Sequence, residues 1–170
     1  MQAPPVPDNE QERLAALRKL VILDTPPTET LDQLTRTCAR MLRMPITLVS
    51  LVDADRQWFK SRVGLDTPQT PRAISFCGHV VASNAPLIVQ DALSDPRFDD
   101  NPLVTGELHL RAYLGVPVHS PEGLPIGTLC AADHRPRQFT AEEVEAMIRM
   151  GRLVSRLLLA EGASRPEPTG

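Results

Sequence analysis

The sequence predicts an α+β fold in which a central antiparallel sheet of five to six strands carries helices on one face and a loop-covered pocket on the other. The chain has 170 residues, which is the size of one domain. Apolar residues recur at helical spacing near both ends and in strand-like runs between them. The strand-like runs occur as hairpins instead of alternating singly with helices, which favours an antiparallel sheet over a parallel one.

Helical periodicity marks both ends of the domain. Between Glu10 and Leu23 apolar residues recur every three or four positions, and Asp24-Thr25-Pro26-Pro27 ends this helix. A second helix is predicted from Thr28 to just before Pro45, because a residue that precedes proline avoids the helical region. Thr140-Ala141-Glu142-Glu143 has the spacing of a capping box and opens a last helix, which is predicted to run to about Ala160.

Two hairpins supply most of the predicted strands. In the first, Ile46 to Val52 and Arg56 to Val63 are joined by an Asp-Ala-Asp turn. In the second, Leu110 to Val118 and Ile126 to Ala132 are joined by a turn that uses Gly123 for positive φ. A short additional strand is predicted at 87–89.

The segments outside the hairpins are predicted to build a pocket. Gly64 to Arg72 reads as a loop, and Ser75 reads as the cap of a short helix. Asp91 to Gly106 is a long polar loop, whose length favours a binding role over a plain connection. We therefore expect a cavity between the sheet and residues 75–106. Its candidate ligand-binding residues are Phe76, Cys77, His79, Val80, Tyr113 and Cys130.

Composition excludes several function classes. Lys plus Arg number 18 and Asp plus Glu number 21, so the net charge of −3 lacks the basic excess that nucleic-acid binding needs. The three cysteines form no Cys-x-x-Cys pair and the four histidines are scattered, so neither a disulfide framework nor a metal site is predicted. No apolar run approaches the roughly 18 residues of a membrane helix, and no signal peptide is evident. These features predict a cytoplasmic protein with no nucleic-acid or membrane partner.

Flexible tails are predicted at 1–9 and 162–170, which leaves the domain at 10–161. The last helix carries more apolar surface than one core needs. Its second stripe consists of Ala146, Met150, Leu153, Leu157 and Ala160. Surplus apolar surface of this kind is typical of an interface, so we predict a homodimer through the first and last helices. The alternative is a wide helix that is deeply packed in one core.

Cys77 has two interpretations. At the start of a helix the positive end of the dipole lowers the pKa of a thiol, which a redox enzyme or redox sensor requires. A buried cysteine also acts as a small hydrophobic residue. Cys130 is predicted in the core or the pocket floor and Cys38 in the core, so the distance from Cys77 to a second cysteine separates the interpretations. No phosphate loop, nucleophile elbow or His-Glu-x-x-His motif is present, so no enzyme is predicted.

Seven segments together resemble the GAF domains of bacterial signalling proteins, and the resemblance covers about Glu10 to Ala160. They are the run from Arg13-Leu14 to Leu23-Asp24-Thr25-Pro26-Pro27, Ile46 to Asp53, Gln57-Trp58-Phe59-Lys60-Ser61, Ser75-Phe76-Cys77-Gly78-His79, Asp95-Pro96-Arg97-Phe98, Asn101 to Val104, and Gly127-Thr128-Leu129-Cys130.

The resemblance implies a regulatory module that binds a small-molecule ligand or chromophore, dimerises through terminal helices and controls a signalling output protein. It does not specify a cofactor. The Asn-Lys and Asp-Glu signature of cyclic-nucleotide GAF domains is absent from the sequence, and Cys77-Gly78-His79 is one residue out of the cysteine-histidine spacing of bilin-binding members. Members that reduce free methionine sulfoxide use pocket cysteines, but their surrounding signature is also absent. A dimerisation module with an empty pocket is a third interpretation.

Overall fold

The computed structural model describes residues 1–164. Within them a six-stranded antiparallel sheet has the order β3-β2-β1-β6-β5-β4, which confirms the predicted fold class. The strands are β1 (Ile46–Val52), β2 (Arg56–Val63), β3 (Gln69–Pro71), β4 (Leu87–Val89), β5 (Ala112–His119) and β6 (Pro125–Asp133). The helices are α1 (Glu10–Lys19), α2 (Glu29–Leu42), α3 (Phe76–Ser83), α4 (Pro102–Thr105) and α5 (Ala141–Ala163), with 3-10 turns at Arg72–Ile74 and Ala92–Ser94.

The sheet separates two apolar cores, because successive side chains of a strand point to opposite faces. On β6, Leu129 and Ala131 pack against α1, α2 and α5. Cys130 and Ala132 belong to the other core, beneath α3. The first, second and last helices therefore share one face, as predicted, and the opposite face is left to α3 and the long connections.

A β-bulge interrupts the pairing of β1 with β2. The register passes from Val49 opposite Ser61 to Ser50 opposite Phe59, so Lys60 is the extra residue. Its buried ammonium group donates to Thr25 Oγ1 at 2.7 Å and to the carbonyl oxygen of Pro26 at 2.6 Å, and it pairs with the Glu161 carboxylate at 2.5 Å. This lysine thus joins the bulged strand to the α1–α2 connection and to the end of α5.

The last helix begins as the sequence predicts. The backbone N–H of Glu143 donates to Thr140 Oγ1, and the N–H of Thr140 donates to the Glu143 carboxylate, both at 3.1 Å. The helix continues to Ala163, two residues into the segment predicted as a tail, and 165–170 lie outside the described residues. Met147, Gly151, Val154 and Leu158 form its buried side, whereas Leu153 is 39% exposed.

Three other details differ from the expectations. The helix α1 ends at Lys19 instead of Leu23, because Val21 adopts a positive φ of 53°. The predicted loop 64–72 contains β3, which pairs with the start of β2. The N-terminal segment predicted as a flexible tail is hydrogen bonded to the rest of the domain: the N–H of Gln2 donates to the carbonyl oxygen of Arg97 at 3.0 Å.

A buried charged cluster holds the start of α1 against the sheet. Arg13 is fully buried, and two of its nitrogens donate to the Glu10 carboxylate at 2.9 Å. Arg72 donates to the same carboxylate, and Arg13 Nη1 also donates to the carbonyl oxygen of Val52 at 2.7 Å. Burial by itself raises the pKa of Glu10, but hydrogen bonds from Arg13 and Arg72 outweigh it and hold this pKa at about 2.

Candidate functional site

A cavity of about 380 Å³ lies on the sheet face opposite α1, α2 and α5. Strands β1, β2, β5 and β6 form its floor, and α3 with the segments 65–70 and 103–110 surrounds it. The residues that line it are Ile46, Leu48, Gln57, Phe59, Leu65, Thr67, Thr70, Phe76, Cys77, Leu103, Glu107, Leu108, Leu110, Tyr113, Cys130 and Ala132.

The first turn of α3 is held in place by a cap and by stacked rings. Ser75 Oγ accepts a hydrogen bond from the N–H of Gly78 at 3.0 Å and donates to the carbonyl oxygen of Arg72 at 2.7 Å. The Phe76 ring stacks on Phe98 with 4.0 Å between centroids, and it meets the Tyr113 ring at 5.2 Å. These contacts orient Phe76 and Cys77 toward the sheet.

Two thiols and two hydroxyl groups meet at the cavity floor. Cys77 Sγ lies 3.8 Å from Cys130 Sγ and 3.2 Å from Tyr113 Oη. Thr128 Oγ1 donates to Cys77 Sγ at 3.1 Å. Both cysteines are nearly fully buried, with 3% of Cys77 and 2% of Cys130 exposed. The cavity is therefore the route by which a small reagent reaches them.

The two thiols differ in acidity. Burial raises the pKa of Cys77, but its hydrogen bonds with Cys130, Thr128 and Tyr113 outweigh it, so this pKa lies below that of an ordinary thiol. The hydrogen bond between Cys130 and Cys77, together with burial, raises the pKa of Cys130 well above the ordinary value of a thiol. Burial also raises the pKa of Tyr113, so its hydroxyl group stays protonated and available as a donor. Cys77 is thus the more acidic thiol of the pair.

Four of the six predicted site residues line the cavity: Phe76, Cys77, Tyr113 and Cys130. His79 does not, because its ring packs edge-on against Phe98 and its Nε2 lies 3.2 Å from the carbonyl oxygen of Gln2, outside the cavity. Val80 does not line it either, because it is fully buried in the core beneath α3. These two residues thus lie outside the cavity in which they were expected, and the ligand-binding role of the other four stays a prediction.

Sequence reasoning missed much of the wall. Ile46, Leu48 and Ala132 share the sheet face of Cys130, so strand alternation and pairing carried a usable signal for them. Gln57 carried no such signal. Its Nε2 donates to Thr70 Oγ1 at 2.6 Å across the β2–β3 pair, and β3 was predicted as loop.

The charged side chains of the cavity lining indicate which kinds of ligand or metal ion it could hold. No described lining residue is Lys, Arg or His, and the single charged one is Glu107, an exposed residue. Within residues 1–164 no group of three or more His, Cys, Asp and Glu side chains is arranged to hold a metal ion. The same residues contain no helix that combines the length and apolar character needed to span a bilayer.

Comparison with known proteins assigns the family. The model of the GAF domain family matches residues 26–158. The chain belongs to the GAF domain family. This confirms the resemblance on which the sensor interpretation was based.

A cyclic di-GMP phosphodiesterase of Pseudomonas aeruginosa is 38% identical over 173 aligned residues, which include all of this chain and 30% of the relative. This GAF domain thus spans less than a third of that relative. The family of this chain, together with the signalling relative, confirms the prediction of a sensor module of bacterial signal transduction.

Two solved structures show the same fold at low sequence identity. The GAF domain of an Acinetobacter phosphoenolpyruvate-protein phosphotransferase has a TM-score of 0.65 at 18% identity, over 89% of this chain and 96% of that one. A free methionine-R-sulfoxide reductase from Neisseria meningitidis has a TM-score of 0.62 at 19% identity, over 96% of this chain and 97% of that one. The fold therefore occurs both as a domain of a phosphotransferase and as a reductase.

Proposed function

We propose that this GAF domain is a cytoplasmic regulatory sensor that binds a small, largely apolar molecule without negative charge and controls an output enzyme. The observation that carries the proposal is the cavity of about 380 Å³ beneath α3. Its size lies within the roughly 300 to 1,000 Å³ of small-molecule sites. The domain itself performs no catalysis in this proposal.

The lining supports the chemical class of the ligand. Most of its side chains are apolar, and polar groups come from a few residues such as Gln57, Thr70 and Tyr113. Burying an anion is costly unless a cation or several donors compensate it, and no described lining residue carries a positive charge. The Glu107 carboxylate instead favours a neutral or cationic molecule.

The proposed output is the turnover of cyclic di-GMP, by analogy with the phosphodiesterase relative. Cyclic di-GMP carries two phosphates, and the lining offers no cation for either. The cavity thus fits a regulator of such an enzyme better than its substrate. We propose that the output domain or partner, and not this domain, acts on the dinucleotide.

A homodimer is the proposed signalling unit. On α5, Leu153 and Leu159 are 39% and 40% exposed, and Met150 and Leu157 are half-buried. Two such helices packed side by side would cover this surface symmetrically. The three free cysteines agree with a reducing cytoplasm.

The ligand class is tested with three indoles that differ mainly in charge: indole, tryptamine and indole-3-acetate. We expect neutral indole and cationic tryptamine to bind at least about tenfold more tightly than the anion, measured by isothermal titration calorimetry. Leu108→Trp, which fills the cavity wall, should abolish binding. Leu93→Trp places the same side chain at an exposed position away from the cavity and should leave binding unchanged. Preferred binding of the anion, or equal binding by both variants, would overturn the proposal.

A further inference from the structure

The cavity holds a pair of thiols to which the proposed function assigns no separate role. Cys77 Sγ and Cys130 Sγ are 3.8 Å apart on two different elements, α3 and β6. The third cysteine, Cys38, lies in the other core, on the opposite side of the sheet. The fold therefore sorts three buried cysteines into one close pair and one isolated thiol.

We propose that Cys77 and Cys130 form a redox switch, in which a small hydroperoxide that enters the cavity converts the two thiols into a disulfide. In the first step the Cys77 thiolate attacks the outer oxygen of the hydroperoxide, the O–O bond breaks, and the alkoxide or hydroxide leaves with a proton from solvent. Cys77 becomes a sulfenic acid. In the second step the Cys130 sulfur displaces its hydroxyl group, so an S–S bond forms and water leaves with the Cys130 proton.

The geometry supports this order of events. Thr128 Oγ1 and Tyr113 Oη lie 3.1 and 3.2 Å from Cys77 Sγ, so both hydroxyl groups can donate to its thiolate. Tyr113 and Cys130 are the titratable groups in contact with this sulfur. The pKa of Cys77 is lowered and that of Cys130 raised, which makes Cys77 the attacking thiol and Cys130 the resolving one.

The disulfide changes the cavity. An S–S bond of about 2.05 Å requires the sulfurs to approach each other by nearly half of their present separation. Because Cys77 lies in the first turn of α3, this movement draws the start of that helix toward β6. It also breaks the hydrogen bonds that Thr128 and Tyr113 now make with Cys77. Reduction by two equivalents of a thiol small enough to enter the cavity restores the dithiol and releases the oxidised thiol as its own disulfide.

Burial restricts the oxidant. Each cysteine exposes at most 3% of its surface, and both line the cavity. A reagent must therefore be small enough to pass through it. Hydrogen peroxide meets this condition, whereas an oxidised peptide disulfide does not, so the proposal commits to a small hydroperoxide.

The test treats the reduced full chain with hydrogen peroxide, alkylates the remaining thiols after denaturation and maps the peptides by mass spectrometry. We expect a Cys77–Cys130 disulfide with Cys38 still alkylated. Cys130→Ser should stop the reaction at a Cys77 sulfenic acid that dimedone traps, and Cys77→Ser should leave Cys130 reduced. Cys38→Ser is the matched control and should react like the wild type.

Thr128→Val tests the positioning of the thiol. Loss of one hydrogen bond to the thiolate should slow the oxidation of Cys77 about tenfold at neutral pH and shift its pH profile toward alkaline pH, with unchanged circular dichroism. Oxidation of Cys77 without a bond to Cys130, or reaction of Cys38 at an equal rate, would overturn the proposal, as would a folded protein that stays reduced. The disulfide needs no ligand, so its failure leaves the indole experiment unaffected, and failure of the indole experiment leaves this one valid.

Discussion

The phenol ring of Tyr113 lies directly over Gly115, two residues along the same strand. A Cβ atom on Gly115 would stand 2.3 Å from Tyr113 Oη and 2.7 Å from two ring carbons. The glycine thus provides the space in which the Tyr113 hydroxyl group reaches Cys77. The position of the Tyr113 ring on this face of β5 therefore requires a residue without a side chain at position 115.

Gly115→Ala should therefore displace Tyr113 and destabilise the domain. We expect a loss of about 1 to 3 kcal/mol in the free energy of unfolding, measured with urea, since overpacking a buried site costs that much. The matched comparison is made in the background Tyr113→Ala, where the ring is gone. There the same glycine substitution should cost much less, and equal costs in both backgrounds would contradict the contact.

Glu10→Gln should weaken the charged cluster at the start of α1. Breaking a buried ion pair by removing one partner costs about 3 kcal/mol, because Arg13 stays buried without its counter-charge. Glu12→Gln changes an exposed carboxylate two residues away and should alter stability by less than about 0.5 kcal/mol. Urea unfolding at pH 7 compares the two variants, and equal losses would show that the cluster contributes no more than a surface charge.

The same carboxylate predicts a dependence on pH. The pKa of Glu10 is about 2 in the folded protein against an ordinary value of 4.5, so the folded state favours its ionised form. The stabilisation is complete above pH 4.5 and is lost as the pH falls toward 2. The difference in unfolding free energy between wild type and Glu10→Gln should shrink over this interval. A difference that stays constant down to the folded pKa would rule out this origin.

Lys60→Met should loosen the end of α5. The substitution removes the hydrogen bonds that the buried ammonium group donates to Thr25, Pro26 and Glu161, and we expect a loss of about 3 kcal/mol. Backbone amides near Glu161 should exchange faster with deuterium, whereas those around Met147 should not. Lys19→Met removes a lysine paired with Glu122 at the surface, so its effect should be below about 1 kcal/mol. Equal exchange in both variants would contradict the role of Lys60.

The proposed dimer is tested on α5. Leu153→Glu combined with Leu157→Glu should give a folded monomer in sedimentation velocity, because charges cannot be buried in a symmetric apolar interface. Leu93→Glu introduces the same charge at an exposed leucine outside α5 and should leave the dimer intact. A wild-type protein that sediments as a monomer at high micromolar concentration would refute the dimer.

Local signals predicted much of the fold. The strands Ile46–Val52 and Arg56–Val63 agree with the observed bounds, because a turn sequence separates two β-rich runs. The caps at Ser75 and Thr140 also form, since capping depends on residues only three positions apart. The strand β3 was not predicted, because three residues that include a proline carry too short a pattern.

The site was less accessible to sequence reasoning. Phe76 and Cys77 were placed correctly because the loop-helix segment was expected above the sheet. His79 lies outside the cavity because it contacts Phe98 and Gln2. These two residues are distant from it in sequence and come close to it only in the folded chain. The separation of Cys77 from Cys130 likewise depends on how closely α3 packs on β6, which no spacing in the sequence encodes.

On β2 the cavity wall and the anchor of the C-terminal helix are immediate neighbours in the chain, because successive side chains of a strand face opposite sides of the sheet. Phe59 lines the cavity, and Lys60, the next residue, forms an ion pair with Glu161 on the other side of the sheet. One rigid peptide plane connects their α-carbons, so a displacement of the Phe59 backbone also moves the backbone of Lys60. A ligand that displaced the Phe59 backbone would therefore also move the lysine that anchors the last turn of α5.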